Sequence, residues 1–255
     1  MEMQETFDRM ARRVRRHKVA NSPIEDRWII ERMAIELLER WQSSQTVSGP
    51  VLIIGNDAGA IAAGLSSTPV YADACPSSVE AQRIVICNED RLPFADFSFA
   101  AIFSVGMIDT VNDVPGSLIL ARRCLKPGGL FLGAYLGVGT GQTMRSIVQT
   151  ITNDGAPRVR MHPQIDVRAA GDLMARAGFT KAVADMETIE ARYSSWDRLM
   201  SDFRANSGGN ALTSRSSVTQ TTVKEWKRRF EAKKSGEGRV TETFCPIYVT
   251  GYAPS

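Results

Sequence analysis

The sequence predicts an α/β fold: a doubly wound, largely parallel sheet with helices on both faces, preceded by N-terminal helices. Three observations carry this. Short apolar runs alternate with helical stretches, as in strands joined by crossover helices. The first run ends on a glycine where strand gives way to helix. A last apolar run, Thr243–Tyr252, is placed to join the same sheet as a terminal strand.

In chain order, Phe7, Met10 and Val14 recur at helical spacing, with arginines between them. Ile24–Trp41 reads as a helix started by Ser22-Pro23, with Ile29, Met33, Ile35, Leu37 and Leu38 on its apolar side. Val51–Ile54 has the pattern of a buried strand closed by Gly55. Val70–Ala72, Arg83–Cys87, Ala100–Ser104 and Leu130–Tyr135 follow as strands, the last after a Lys126-Pro127-Gly128-Gly129 turn. Val114–Leu125 and Thr143–Thr152 read as helices. The expected organisation is an N-terminal helical segment over 1–45 and an α/β domain over 46–255. Within that domain the Ser/Gly/Asn-rich stretch beginning at Ser201 marks 201–239 as a mobile insertion or lid.

Composition excludes several function classes. The chain has 255 residues, 43% hydrophobic and 23% charged, which fits neither a disordered nor a membrane-embedded protein. Its longest apolar stretches fall short of the roughly 20 residues a membrane-spanning helix needs. Cys75, Cys87, Cys124 and Cys245 lie far apart, and no leader peptide is evident, so reduced, cytoplasmic conditions of bacterial type are expected over a mitochondrial matrix. His17 and His162 are the only histidines and neither sits in a motif, so no metal site and no Ser-His-Asp catalysis are expected.

Charge is uneven. Residues 1–20 carry a net +3 and residues 215–239 a net +5, against +3 for the whole chain, so the body is mildly acidic. In Val223–Phe230, Trp226 and Phe230 fall on one helical face. Each basic segment reads either as a surface helix whose apolar stripe packs on the body, or as a docking surface. The docking partner would be an acidic protein, with peripheral contact to an anionic membrane left open. Nucleic acid is disfavoured, because the basic residues are not interleaved with several aromatics.

The turn Gly55-Asn56-Asp57-Ala58-Gly59 lies where the first strand meets the first helix. Glycines there let a nucleotide-type ligand approach the backbone and a helix N-terminus. Asp73 ends the second strand, where an acid can hold ribose hydroxyls, or simply cap a turn.

Three further segments add specificity: Asn88-Glu89-Asp90-Arg91-Leu92-Pro93-Phe94, then Val111-Asn112-Asp113-Val114-Pro115-Gly116, then Leu125-Lys126-Pro127-Gly128-Gly129. With these the chain resembles class I S-adenosylmethionine (SAM)-dependent methyltransferases, closest to the group of malonyl-carrier-protein methyltransferases and methyltransferase-like assembly factors of respiratory complex I. Phe7-Asp8-Arg9, Val167–Phe179 and Thr243–Tyr248 are similar to the assembly-factor branch. The resemblance implies a Rossmann-like, seven-stranded, mostly parallel sheet and SAM as cofactor. It places the cofactor on Gly55, Asn56, Asp57, Gly59, Asp73, Asn88, Asp90 and Leu92. The family's first motif, acid-x-Gly-x-Gly-x-Gly, is altered: Ile53 stands at the acidic place and Asp57 at the middle glycine, while Asn88 replaces the acid after the third strand.

Methyl transfer from a sulfonium is an in-line displacement that needs a base when the acceptor is a weak nucleophile. Asp109 and Tyr135 lie beside the expected pocket, and the resemblance suggests Tyr193 for an acceptor channel; each is alternatively a packed or capping residue. Two functions follow. One is a methyltransferase acting on a protein or carrier-linked substrate, with arginine hydroxylation on a complex I subunit as a variant. The other is a non-catalytic assembly or chaperone-like pseudoenzyme. Both expect a protein partner, such as a respiratory-complex subunit.

Overall fold

The computed structural model describes residues 5–44, 47–55, 59–75, 84–149, 161–207, 209–215 and 217–255. Nine strands are described: β1 (Val51–Ile54), β2 (Val70–Asp73), β3 (Ile84–Ile86), β4 (Phe99–Val105), β5 (Leu125–Leu136), β6 (Thr180–Met186), β7 (Ile189–Tyr193), β8 (Val240–Phe244) and β9 (Pro246–Tyr252). Seven form one sheet in the order β3-β2-β1-β4-β5-β9-β6, parallel from β3 to β5, with β9 antiparallel to both its neighbours. The sequence-predicted class and sheet are therefore present. Strand order reverses between β1 and β4, and the crevice beyond their C-terminal ends is where such sheets take ligands.

Eight α-helices lie among the described residues: α1 (Arg9–Ala20), α2 (Trp28–Gln42), α3 (Gly59–Ala63), α4 (Val114–Cys124), α5 (Gln142–Val148), α6 (Val167–Arg176), α7 (Trp196–Ser207) and α8 (Gln220–Glu231). Side chains alternate across the pleat of β5. Leu130, Leu132, Ala134 and Leu136 join the core under α2, α5, α7 and α8, whereas Phe131 and Tyr135 join the core under α4 and α6. Helix α4 starts where Asp113 accepts from the Gly116 amide at 2.8 Å with Pro115 in the first turn, a favoured helix start.

Three readings change in detail. The terminal run splits: Val240–Phe244 pairs with β7 in a separate two-stranded sheet, and only Pro246–Tyr252 enters the main sheet. The Lys126–Gly129 turn is absorbed into β5 as an irregularity, since Leu125 faces Phe99 while Leu130 already faces Ala101. The predicted 143–152 helix begins at Gln142 and ends at Val148, and its last predicted residues lie outside the described ones. Its N-terminus is tied to β8 by the buried Glu242, which accepts from the Thr143 and Met144 amides at 3.1 and 2.6 Å.

The stretch 201–239 contains the end of α7 and all of α8, and α8 lays Trp226 and Phe230 into the core. Its apolar stripe packs on the body as the surface-helix reading expects. Helix α1 does the reverse over its first two turns, and only Val19 and Ala20 at its end are buried apolar residues. Arg12 is only 6% exposed, while Met10 and Val14 point outward at 64% and 49%. The stripe of α1 faces away from the body because three carboxylates at the strand ends draw its guanidiniums inward.

Candidate functional site

Acids line the C-terminal ends of the parallel strands. Asp73 is the last residue of β2, held in a tight turn by the Cys75 amide at 3.0 Å, and is 2% exposed. After β3, Asn88 leads into a short 3₁₀ turn, Glu89–Arg91, that presents Glu89 and Asp90. Leu92, just beyond, is buried in the core under α4 and so supports this turn. Gly55 closes β1 at φ +109°, a backbone region that side chains rarely adopt. A Cβ there would stand 2.7 Å from the Val105 carbonyl oxygen and 3.0 Å from Met107 Cγ. Gly59 begins α3 with open space around it. Asn56 and Asp57 lie outside the described residues.

Helix α1 crosses these acids. Arg9 forks onto Asp90 at 2.8 and 2.7 Å, Arg12 reaches Glu89 at 2.6 Å and Thr110 Oγ1 at 3.0 Å, and Arg16 forks onto Asp73 at 3.0 and 2.5 Å. Bidentate pairs of this kind are short and directional. The Arg9 hydrogen bonds hold the Asp90 carboxyl below its usual range. Burial pushes Asp73 up, but Arg16 and the Cys75 amide outweigh it and the net direction is down. Burial, with Asp73 adding, raises the Cys75 thiol to about 12, so it is no thiolate nucleophile at neutral pH. Among the described residues, one buried oxygen of Glu89, Oε1, has no hydrogen-bond partner. A cavity of about 10 Å³ beside it, lined by Ile54, Glu89, Ser104 and Met107 among others, has room for about one water.

A second cluster sits past the end of β4. Asp109 Oδ2 lies 3.2 Å from His162 Nε2, and both residues are buried. Tyr135, on β5, buries a hydroxyl with no hydrogen-bond partner among the described residues, and burial, followed by the Asp109 charge, raises its pKa and keeps it protonated. Phe7 covers this cluster, its ring edge-on to His162 at 6.0 Å between centroids. Asn112 clasps Phe7 on both sides, accepting from its amide at 2.8 Å and donating to its carbonyl at 3.0 Å.

Tyr193 is placed elsewhere. It belongs to the core on the opposite face of the sheet from Tyr135, and its hydroxyl donates to Asp202 at 2.9 Å while Trp28 donates to the same oxygen at 3.2 Å. Sequence reasoning passed over His162 and Glu89. His162 is 53 residues from Asp109 and carries no local motif. Glu89 was inside the quoted segment, and its signal was the acidic pair it makes with Asp90.

A glycine ends β1, an acid ends β2 and an acid follows β3, on a sheet whose order is that of the nucleotide-binding doubly wound folds. The residues match an adenosyl ligand in kind: Gly55 leaves the backbone open where a Cβ would clash, and the two carboxylates are acceptors for hydroxyl and amine donors. Comparison with known proteins agrees. Residues 52–133 match the family model described as a methyltransferase domain.

The chain is similar to the mitochondrial arginine-hydroxylase NDUFAF5 of Danio rerio, 28% identical over 70% of this chain and 56% of that protein. The human NDUFAF5 is 27% identical over 66% and 50%. The malonyl-[acyl-carrier protein] O-methyltransferase of a Methylovorus species is 28% identical over 68% and 58%. The match thus spans about half the length of these relatives. Among solved structures, the YcgJ protein of Bacillus subtilis superposes with a TM-score of 0.55 at 15% identity, covering 87% of this chain and 98% of its own. Phosphoethanolamine N-methyltransferase 2 of Haemonchus contortus, in complex with S-adenosyl-L-methionine, superposes at 0.52 and 15% identity, covering 88% and 53%. These likenesses establish the fold.

The tight turn at Gly55 yields a prediction. Gly55→Ala combines a disfavoured φ with a clash against β4 backbone, and should cost about 1–3 kcal/mol or more of stability. A fall in the thermal midpoint of several degrees checks this; an unchanged midpoint means that β1 and β4 part easily at this end.

Proposed function

We propose that the chain binds SAM at the ends of β1, β2 and β3 and acts as an atypical methyltransferase on a protein or carrier-linked substrate, in the setting of respiratory complex I assembly. The placement of Gly55, Asp73 and Asp90 at three adjacent strand ends carries this reading. When bound, the cofactor would supply a sulfonium methyl group. The chain's part is to hold donor and acceptor in line and to take a proton from the acceptor. His162 is the candidate base, with Asp109 orienting its ring and Tyr135 beside them as a hydroxyl donor. The substrate class follows the printed name of one group of relatives: a malonyl group on an acyl-carrier protein, whose free carboxylate would accept the methyl group as an ester.

A protein partner belongs to the same proposal. Arg13 on α1 and Arg228 on α8 are exposed and suit contact with an acidic surface, whereas the buried Arg12 does not. Among the described residues no helix is long and apolar enough to cross a membrane. The relatives include a protein named mitochondrial and bacterial enzymes, and we place this chain with the bacterial, cytoplasmic type.

One observation favours a second reading, a non-catalytic assembly factor: Asp73, Glu89 and Asp90 are all already paired with guanidiniums of α1. Isothermal titration with SAM and S-adenosylhomocysteine separates the two. Micromolar binding that is lost on Asp73→Ala is the expected result. No binding up to millimolar by the folded protein would sink the cofactor reading and leave the assembly factor.

A further inference from the structure

Arg9, Arg12 and Arg16 fall three and four residues apart, on one face of α1. That face meets three acids belonging to two neighbouring strand ends, each guanidinium taking one carboxylate. A surface helix held by packing turns its apolar stripe inward. Helix α1 turns Met10 and Val14 outward and packs only Val19 and Ala20, at its C-terminal end, into the body, so charge pairing and a clasp at its start hold the rest of it in place. The clasp consists of the Asn112–Phe7 hydrogen bonds, the Asp8 amide donating to the Ala211 carbonyl at 2.9 Å, and an ion pair from Arg215 to Asp8 at 2.7 Å.

We infer that α1 is a displaceable internal ligand: its arginines occupy the carboxylates that would receive the adenosyl group, so α1 docking and cofactor binding exclude each other. This rests on the cofactor reading proposed above. Asp73 shows why the two compete. Its Oδ1 accepts from Arg16 Nε and the Cys75 amide, and its Oδ2 from Arg16 Nη2, with almost no surface left to solvent. Ribose hydroxyls need these same oxygens, so Arg16 must leave before they arrive. Asp90 is likewise held on both oxygens by Arg9. Departure of the helix alone would leave carboxylates without partners. Departure coupled to ligand entry replaces the guanidiniums with hydroxyl and amine donors. A site open only part of the time binds with its intrinsic affinity reduced by the open fraction.

Two readouts test this with S-adenosylhomocysteine as probe. Asn112→Ala loosens the clasp and touches neither an arginine nor an acid of the site; titration should show binding at least about tenfold tighter than in the wild-type chain. The second readout needs no variant. Saturating ligand should speed tryptic cleavage within α1 of the wild-type chain, at Arg12, Arg13, Arg15, Arg16 or Lys18, by about tenfold, because the helix is released into the open state. Equal affinity of the two proteins, or cleavage that ligand slows or leaves unchanged, overturns the inference while the cofactor reading stands. Absence of binding by both proteins overturns both.

Discussion

Replacing Phe230 by alanine should destabilise the chain by about 3–5 kcal/mol, the range for removing a fully buried phenylalanine. Phe230 has no exposed surface, and its ring lies 6.2 Å from that of Trp196, which also contacts Trp226 at 5.9 Å. Around Trp226 and Phe230, α8 is mostly charged: Lys224, Glu225, Lys227, Arg228 and Arg229 follow one another with only Trp226 between, and Val223 one turn earlier is only partly buried. Two aromatic anchors four residues apart therefore hold the helix, and truncating the deeper one leaves a cavity that the flanking tryptophans cannot fill by rotation. The same core contains Phe203 and Phe244, whose rings lie 5.1 Å apart, so α7, α8 and the β7–β8 pair share one packed unit with the body. Urea unfolding checks the effect, as a lowered midpoint with an unchanged slope. A loss below about 1 kcal/mol, the size of an ordinary surface substitution, would mean that α8 is detached in solution.

Apolar runs located β1 and β4 because those strands are buried on both faces, and a buried parallel strand shows itself as a continuous run such as Val51–Ile54. The strand β3, at the sheet edge and only partly buried, was located by its short run of β-branched residues. The strands β6 and β7 escaped notice for the opposite reason. Thr180–Met186 carries exposed Lys181 and half-exposed side chains at an edge of the sheet, so its pattern is weak. Asp73 and Asp90 were legible because they sit at fixed offsets from strands that could be located. Periodicity also found the stripe of α1, but a stripe does not say which way a helix is mounted. That depended on acids 57 to 81 residues away, and on a local balance in which bidentate pairs outweigh the burial of Met10 and Val14. The Asp109–His162 pair was illegible because its two members are joined only through the fold.

Arg12→Ala should raise the hydrogen-exchange rates of the α1 amides by roughly 10² to 10³, with the strands β1 and β4 keeping their protection. Among the described residues Arg12 is the one guanidinium that partners Glu89, whose other oxygen has no partner there. Removing one member of a buried pair costs about 3–5 kcal/mol when the remaining charge stays buried. This molecule has a cheaper route, since α1 can swing away and let water reach Glu89, so the loss appears as local opening of the helix. At about 1.4 kcal/mol per decade, a loss near 3 to 4 kcal/mol corresponds to the exchange increase above. Adding Glu89→Gln should recover part of the protection, because a neutral amide is far less costly to bury than a carboxylate. Unchanged exchange in α1 would mean that the clasp at Phe7 holds the helix without its ion pairs. Equal loss in α1 and β4 would mean that the strap and the sheet open as one unit, which would remove the separate movement that cofactor entry requires.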